Sequence, residues 1–245
     1  MRKIFFIFLL ILSSLILYSQ SNCQLLVGLD GGLTYSNIKE KNDFPGNYGF
    51  KTGSSAGLNL ELIFSSRISL ETHIDFYQNG YNNNDRQVLT LSNYIATKSY
   101  LGYDNYVTQN YLSNSWLIGY HIGHRIDFSI YTGLYWSLFL KSNLKAKNYI
   151  YTDPVEWAQI GDPAIPQGYK ETVVSATLSK ELYTNIDLGL EGKIEAGYSI
   201  NEKFKIICFM NYYKGLTDIS KKVIFKDVEN YNISVNLGLG LKMKL

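Results

Sequence analysis

Cysteine and proline are scarce: Cys23 and Cys208 are the only thiols, and four prolines serve a chain of 245 residues. Two thiols cannot make a disulfide framework, so backbone hydrogen bonding and packing must hold the fold. Charge is thin as well, at 18%, where an ordinary soluble domain carries about a quarter. A disordered chain would be charge-rich and aromatic-poor, and the 15% of aromatic residues argues against one. A basic excess is also missing. Lys and Arg number 23 against 21 acids, and Arg2 and Lys3 account for the difference. No nucleic-acid partner is expected from such a balance. After residue 18 no apolar run approaches the roughly 18 residues that mark a membrane helix.

What is present begins with a targeting pattern. Arg2 and Lys3 precede Ile4 to Tyr18, an apolar run broken only by Ser13 and Ser14, and Ser19-Gln20-Ser21-Asn22-Cys23 follows. A short positive region, an apolar core of this length and small or polar residues after it make a secretory signal peptide. Residues 1–23 are expected to be removed, with cleavage at about 21–23, leaving 24–245 as one exported domain. A retained anchor helix and acylation of Cys23 are the other readings; Gln20, Ser21 and Asn22 fit the acylation context poorly.

The body of the chain alternates with period two, the mark of strands with one apolar and one polar face. Val27, Leu29, Leu33 and Tyr35 oppose Gly28, Asp30, Gly32 and Thr34. Similar alternation runs through Ala56–Leu62, Ile68–Phe76, Leu112–Tyr120, Phe128–Leu140, Ile186–Ala196, Ile206–Tyr212 and Ile233–Leu241. That makes eight amphipathic strands. Their connections alternate between tight turns (64–67, 123–125 and 199–203) and long links (38–50, 79–105, 141–181 and 214–230). All four prolines (Pro45, Pro154, Pro163, Pro166) fall in long links, as they must if proline cannot donate to a ladder.

An even number of strands with turns short at one end and long at the other predicts an all-β fold. It is a single eight-stranded antiparallel up-and-down transmembrane β-barrel, with short turns and both termini periplasmic and long loops outside. The apolar faces, rich in Trp116, Trp136, Phe76, Phe128 and Tyr35, would meet lipid. The polar faces carry Asp30, Glu61, Glu71, His73, Asp75, Asp127, Asp187, Glu191, Lys193, Glu195, Lys205 and Lys242. They would fill a narrow interior. The inverted assignment, a secreted lipocalin-like binder of a small apolar ligand, uses the same alternation.

Several short motifs, taken in order, resemble the eight-stranded outer-membrane β-barrel family common in Bacteroidetes, which includes PorT-like proteins. They are Gly28-Leu29-Asp30-Gly31-Gly32, Ser65-Ser66-Arg67-Ile68-Ser69-Leu70, Tyr131-Thr132-Gly133-Leu134-Tyr135, and Tyr212-Tyr213-Lys214-Gly215-Leu216-Thr217-Asp218-Ile219. The closing stretch Ile233 to Leu241 also fits. The resemblance covers about residues 24–245. It implies outer-membrane lipid and the barrel-insertion machinery as partners, and a non-enzymatic role that is structural, adhesive or accessory to secretion. The ending Lys242-Met243-Lys244-Leu245 departs from the aromatic terminus that many such barrels offer the insertion machinery.

Candidate chemistry is sparse. Glu71, His73 and Asp75 share a strand face, about 7 Å apart per step of two. That arrangement suits a metal or a general base. It suits equally a buried ion-pair network with Arg67, Arg125, Lys193 or Lys205, since interior charges must be paired; the network is the expectation. His121 and His124 sit at a tight turn without the helix or glutamate of a zinc protease. No catalytic, cofactor-binding or metal-binding residue is therefore assigned, and no cofactor; an outer-membrane hydrolase with a rim active site is the alternative. The long links hold aromatic residues suited to binding, with Tyr151, Trp157 and Tyr169 as candidates for recognising a cell-surface or secretion-system partner. N-terminal sequencing of the protein recovered from cell envelopes should read from Asn22 or Gln24; a start at Met1 would mean a retained anchor.

Overall fold

In a computed structural model the described residues are 23–40, 48–65, 67–91, 94–123, 125–152, 168–178, 183–219 and 230–245. The expected signal peptide lies outside them, apart from Cys23, and so do the four prolines and Trp157. The elements are β1 (Gln24–Glu40), β2 (Tyr48–Gly49), β3 (Lys51–Ile63), β4 (Ile68–Leu91), β5 (Tyr94–Gly123), β6 (Ile126–Thr152), β7 (Gly168–Leu178), β8 (Ile186–Ser199), β9 (Phe204–Gly215) and β10 (Asn230–Lys244). Eight of them form a ring. β1 pairs with β3, β3 with β4, β4 with β5, β5 with β6, β6 with β8, β8 with β9, β9 with β10, and β10 with β1, every pair antiparallel. No strand of the ring keeps a free edge, which is the condition for a sheet in hydrocarbon.

The faces sort as the alternation predicts. Outward positions are apolar and exposed, with Leu33 at 70%, Ile118 at 63% and Leu134 at 62% of full accessibility. Inward positions are buried and polar: Glu61, Glu71, His73, Glu195, Lys193 and Lys242 all lie at 0–1%. The apolar belt runs from Leu112 to Ile122 on β5 and from Ile126 to Trp136 on β6. That is the ~9–11 residues a tilted membrane strand needs. Cys208 sits on this belt as an exposed free thiol. Asn114 is a polar residue among the outward positions, and its amide is satisfied locally. It donates to Thr72 Oγ1 at 3.2 Å and accepts from Trp116 Nε1 at 2.7 Å.

The two ends differ. The tight turns 64–67, 123–125 and 199–203 gather at one end, together with the start of β1 and the end of β10. There the Leu245 amide donates to the Leu25 carbonyl and Lys244 to that of Lys203. At this end Arg67 and Arg125 are exposed and reach Tyr120 and Tyr198 on the outer surface, at 3.4 and 3.0 Å. Neither arginine joins the interior network in which the sequence reading placed them as candidate partners.

At the other end two of the long links are largely strand. The link at 79–105 is an extended hairpin, because β4 and β5 stay paired up to Leu91↔Tyr94. The link at 141–181 carries the rest of β6 and all of β7, paired from Ser142↔Leu178 to Thr152↔Gly168. β5 has 30 residues, roughly 100 Å of strand at about 3.3 Å per residue, far more than a membrane requires. Tyr48 and Gly49 add a short pairing to Asn83 and Asn82. A bulge at Leu140, opposite the step from Asn110 to Tyr111, moves the inward face of β6 from odd to even positions. Phe139 and Ser142 are therefore both buried, while Leu138 and Leu140 are half-buried rather than fully outward.

Closed barrels resist cold detergent, so the native protein should migrate faster on a detergent gel before boiling than after. Leu134→Arg places a charge on the belt and should cost about 2–4 kcal/mol in urea unfolding from lipid vesicles. An unchanged midpoint would move Leu134 away from the bilayer.

Candidate functional site

The interior is filled in three tiers, beginning at the short-turn end. The first centres on the Lys242 ammonium. It lies 2.8 Å from Glu61 Oε2, 2.9 Å from Glu71 Oε2 and 2.9 Å from Glu195 Oε2. Lys193 bridges Glu71 and Glu195 at 2.7 and 3.0 Å. Lys205 bridges Asp127 and Glu195 at 2.7 and 3.2 Å. His121 completes the tier, with Nε2 3.0 Å from Glu61 Oε1 and Nδ1 2.8 Å from Ser129 Oγ. The Tyr131 ring lies under both Lys193 and Lys242, at 5.1 and 5.5 Å, and its hydroxyl donates to Glu61. Four carboxylates meet three ammoniums and an imidazole contributed by β3, β4, β5, β6, β8, β9 and β10. Such burial is tolerable because each charge is paired several times over.

The second tier holds His73 between Asp30 and Asp75. Its Nε2 is 3.0 Å from Asp30 Oδ2 and its Nδ1 is 3.1 Å from Asp75 Oδ2, all with side chains at most 1% exposed. Asn59 donates to Asp30 Oδ2 at 2.8 Å and Tyr213 to Asp75 Oδ2 at 3.2 Å. The register explains the cluster. Asp30, Gly57 and Asp75 stand in one cross-strand row, and Gly28, Asn59 and His73 in the next. A Cβ at residue 57 would lie 2.0 Å from Asp75 Oδ1 and 2.7 Å from His73 Nε2, so only glycine leaves room. Glu191 reaches from β8 across the lumen to the Ser115 hydroxyl, and Ser115 is the cross-strand neighbour of His73.

The third tier is aromatic. Tyr77, Tyr111, Phe139 and Tyr183 form a buried cluster, and Tyr213 stacks on Tyr77 at 5.6 Å. Asp187 is held here by neutral donors alone among the described groups: Thr217 at 2.8 Å, Asn232 at 2.9 Å and Tyr135 at 3.3 Å.

The sequence-predicted trio is thus divided. Glu71 belongs to the lysine tier, whereas His73 and Asp75 join Asp30 from β1. The lysines on the predicted partner roster do take part. Asp30 was legible as a polar-face residue but not as a partner of His73, because that requires the register. At the hairpin end, Tyr151 closes the β5–β6 pairing opposite Tyr100 and pairs with Tyr169 on β7. The Tyr169 side chain and all of Trp157 lie outside the described residues. Lower on the same hairpins a cleft of about 610 Å³ is lined by Lys51, Tyr106, Lys145, Lys147 and Ser175.

Lys242→Met removes the hub of the first tier and leaves Glu61, Glu71 and Glu195 facing one another. Urea unfolding in micelles should show a loss of about 3–5 kcal/mol. Adding Glu71→Gln should recover part of it; no difference between the single and double variants would mean the carboxylates do not interact.

No curated protein matches the sequence. Among solved structures, the chain aligns with Neisserial surface protein A at 12% identity and a TM-score of 0.41, over 92% of this chain and 100% of that one. OprG from Pseudomonas aeruginosa aligns at 12% and 0.45, over 89% and 95%. Ail, the attachment invasion locus protein of Yersinia pestis, aligns at 12% and 0.37, over 89% and 97%. The family described as outer membrane protein beta-barrel domain matches residues 18–221. With its belt facing lipid and its charges inside, the chain belongs to that family and is an outer-membrane β-barrel protein.

Proposed function

We propose that the protein is a non-enzymatic, non-conducting barrel that presents its hairpin end outside the cell as a contact surface. The short-turn end, with both termini, then lies in the periplasm, and residues 1–23 are the cleaved export signal. The observation that carries this reading is the length of paired strand beyond the apolar belt. β4, β5, β6 and β7 continue as a polar sheet where no lipid has to be met. Its surface offers Lys51, Lys145 and Lys147 around Tyr106, with Tyr149 and Tyr151 half-buried nearby. Rigid aromatic and cationic groups on a projecting scaffold suit recognition of a protein or glycan at the cell surface. The lumen supports the non-conducting half of the proposal, because its three tiers interlock across the width of the barrel and eight strands leave no aqueous channel.

Replacing residues 145–178 by a short turn should leave heat modifiability intact and abolish attachment of expressing cells to their surface partner. Unchanged attachment together with impaired protein secretion would favour the accessory role that the family resemblance implies. Planar bilayers containing the purified barrel should show no large, stable unitary currents; their appearance would overturn the filled lumen.

A further inference from the structure

Charge is distributed unevenly along the lumen. In the first tier Glu61, Glu71, Asp127 and Glu195 meet Lys193, Lys205, Lys242 and His121. Above it Asp30, Asp75 and Glu191 share one basic side chain, His73, among the described residues. Bare buried carboxylates in excess are among the costliest arrangements in a protein. The hydrogen bonding there is incomplete in a patterned way. Asp30 and Asp75 each have one oxygen held by a neighbour, Asn59 Nδ2 and Tyr213 Oη, and each has its other oxygen, Oδ1, without a donor. Both nitrogens of His73 lie near carboxylate oxygens, at 3.0 and 3.1 Å. Each ring nitrogen meets the Oδ2 atom that Asn59 or Tyr213 already holds, so the Oδ1 atom of both aspartates is left over. Glu191 Oε1 is likewise buried and unpartnered.

We propose that Asp30, His73 and Asp75 form a binding site for a divalent metal ion of the zinc class, enclosed in the middle of the barrel. One ligand atom from each residue lies within 4.8 Å of the other two. That spacing suits an ion bonded at about 2.0–2.2 Å to nitrogen and oxygen ligands. An ion takes one ring nitrogen, and Nε2 is the one that lies 3.0 Å from Asp30 Oδ2 and faces Gly57 together with the donor-free Asp75 Oδ1. Asn59 and Tyr213 orient the carboxylates from behind, the arrangement that second-layer donors give to metal ligands. Gly57 keeps the space in front of Asp75 Oδ1 and His73 Nε2 clear. A dication also supplies the positive charge this tier lacks, with Glu191 near enough to contribute to the balance. The mixed imidazole and carboxylate set favours zinc-like ions over magnesium or calcium. The ion would enter during folding, because the lysine tier closes the lumen on one side and the tyrosine cluster on the other. This site is independent of what the hairpin end contacts.

The test uses the full mature chain folded from urea into detergent micelles with excess Zn2+, then washed with chelator and gel-filtered. Metal is counted by mass spectrometry of the folded, heat-modifiable fraction. One tightly held zinc per chain is expected, with at least a tenfold loss in His73→Gln. Tyr213→Phe leaves every ligand in place and removes only a supporting donor, so it serves if His73→Gln does not fold. It should release zinc to chelator about 10–100-fold more readily. Refolding with Co2+ should give the visible absorption of a nitrogen- and oxygen-ligated ion, absent in His73→Gln. A folded wild-type barrel that emerges free of metal would overturn the proposal and leave His73 as a protonated bridge between two aspartates. Equal zinc retention by wild type and His73→Gln would overturn it as well.

Discussion

A strand inside hydrocarbon has no water to fall back on, so each of its amides and carbonyls must find another strand. The pairing of β1 with β10, from Leu26↔Lys244 to Glu40↔Asn230, meets that requirement by joining the first strand to the last. Once the ring is shut, inside and outside are decided for every residue at a stroke, because side chains alternate. A shift of one residue in this pairing would carry Asp30 and Lys242 into lipid and Leu29 and Leu241 into the lumen. The lumen charges therefore act on register as well as on stability. Lys242 on β10 finds Glu61 on β3 and Glu71 on β4 only when β1 between them is correctly aligned on both sides.

The interior is a consequence of the same closure. Eight strands enclose a space that side chains must fill, and the inward rows of a membrane barrel are the polar ones. Filling a dry space with polar groups succeeds where donors and acceptors are matched, as in the lysine tier. Glycines fit the larger side chains into the remaining room. Gly119 lies against the Tyr131 ring and Gly189 against Tyr135, each too close for a Cβ. Rows that pair a large residue with glycine explain the glycine-rich polar faces. The carboxylate-rich tier around His73 departs from this matching, and that departure is why it stands out as a place for a cation.

The period-two pattern located the ring because lipid forces every second residue of a belt strand to be apolar. Leu112, Trp116, Ile118 and Tyr120 had to face one way, and the eight runs with that property are the eight ring strands. The pattern lost its force where the belt ended. Beyond Phe76 on β4 and before Leu112 on β5 the sequence no longer keeps an apolar residue at every second position, so alternation disappears while pairing continues. Tyr, Thr and Val remain frequent there, and that strand preference, rather than hydrophobic period, marks the extended hairpins. The site was half legible for a related reason. Glu71, His73 and Asp75 share a face by arithmetic alone, but who stands opposite them depends on register. Two arginines beside the turns looked available as partners for the acids; their position past the belt turns them toward Tyr120 and Tyr198 instead.

The bulge at Leu140 links the two halves of the molecule. Below it β6 pairs with β8 and its odd residues face inward; above it β6 pairs with β7 and its even residues do. β7 and β8 thus use the same edge of β6 in succession, which lets a ring strand become part of a projecting sheet without leaving an edge exposed in the bilayer. The inserted residue sits beside Phe139, a member of the aromatic tier. The change of β6 from ring strand to extended hairpin therefore occurs where the lumen is capped. A barrel organised this way keeps its hydrogen-bond closure, its charge matching and its cap within the belt, and leaves the hairpin end free of those constraints. Sequence there is released from the alternation that lipid imposes on the ring beneath it.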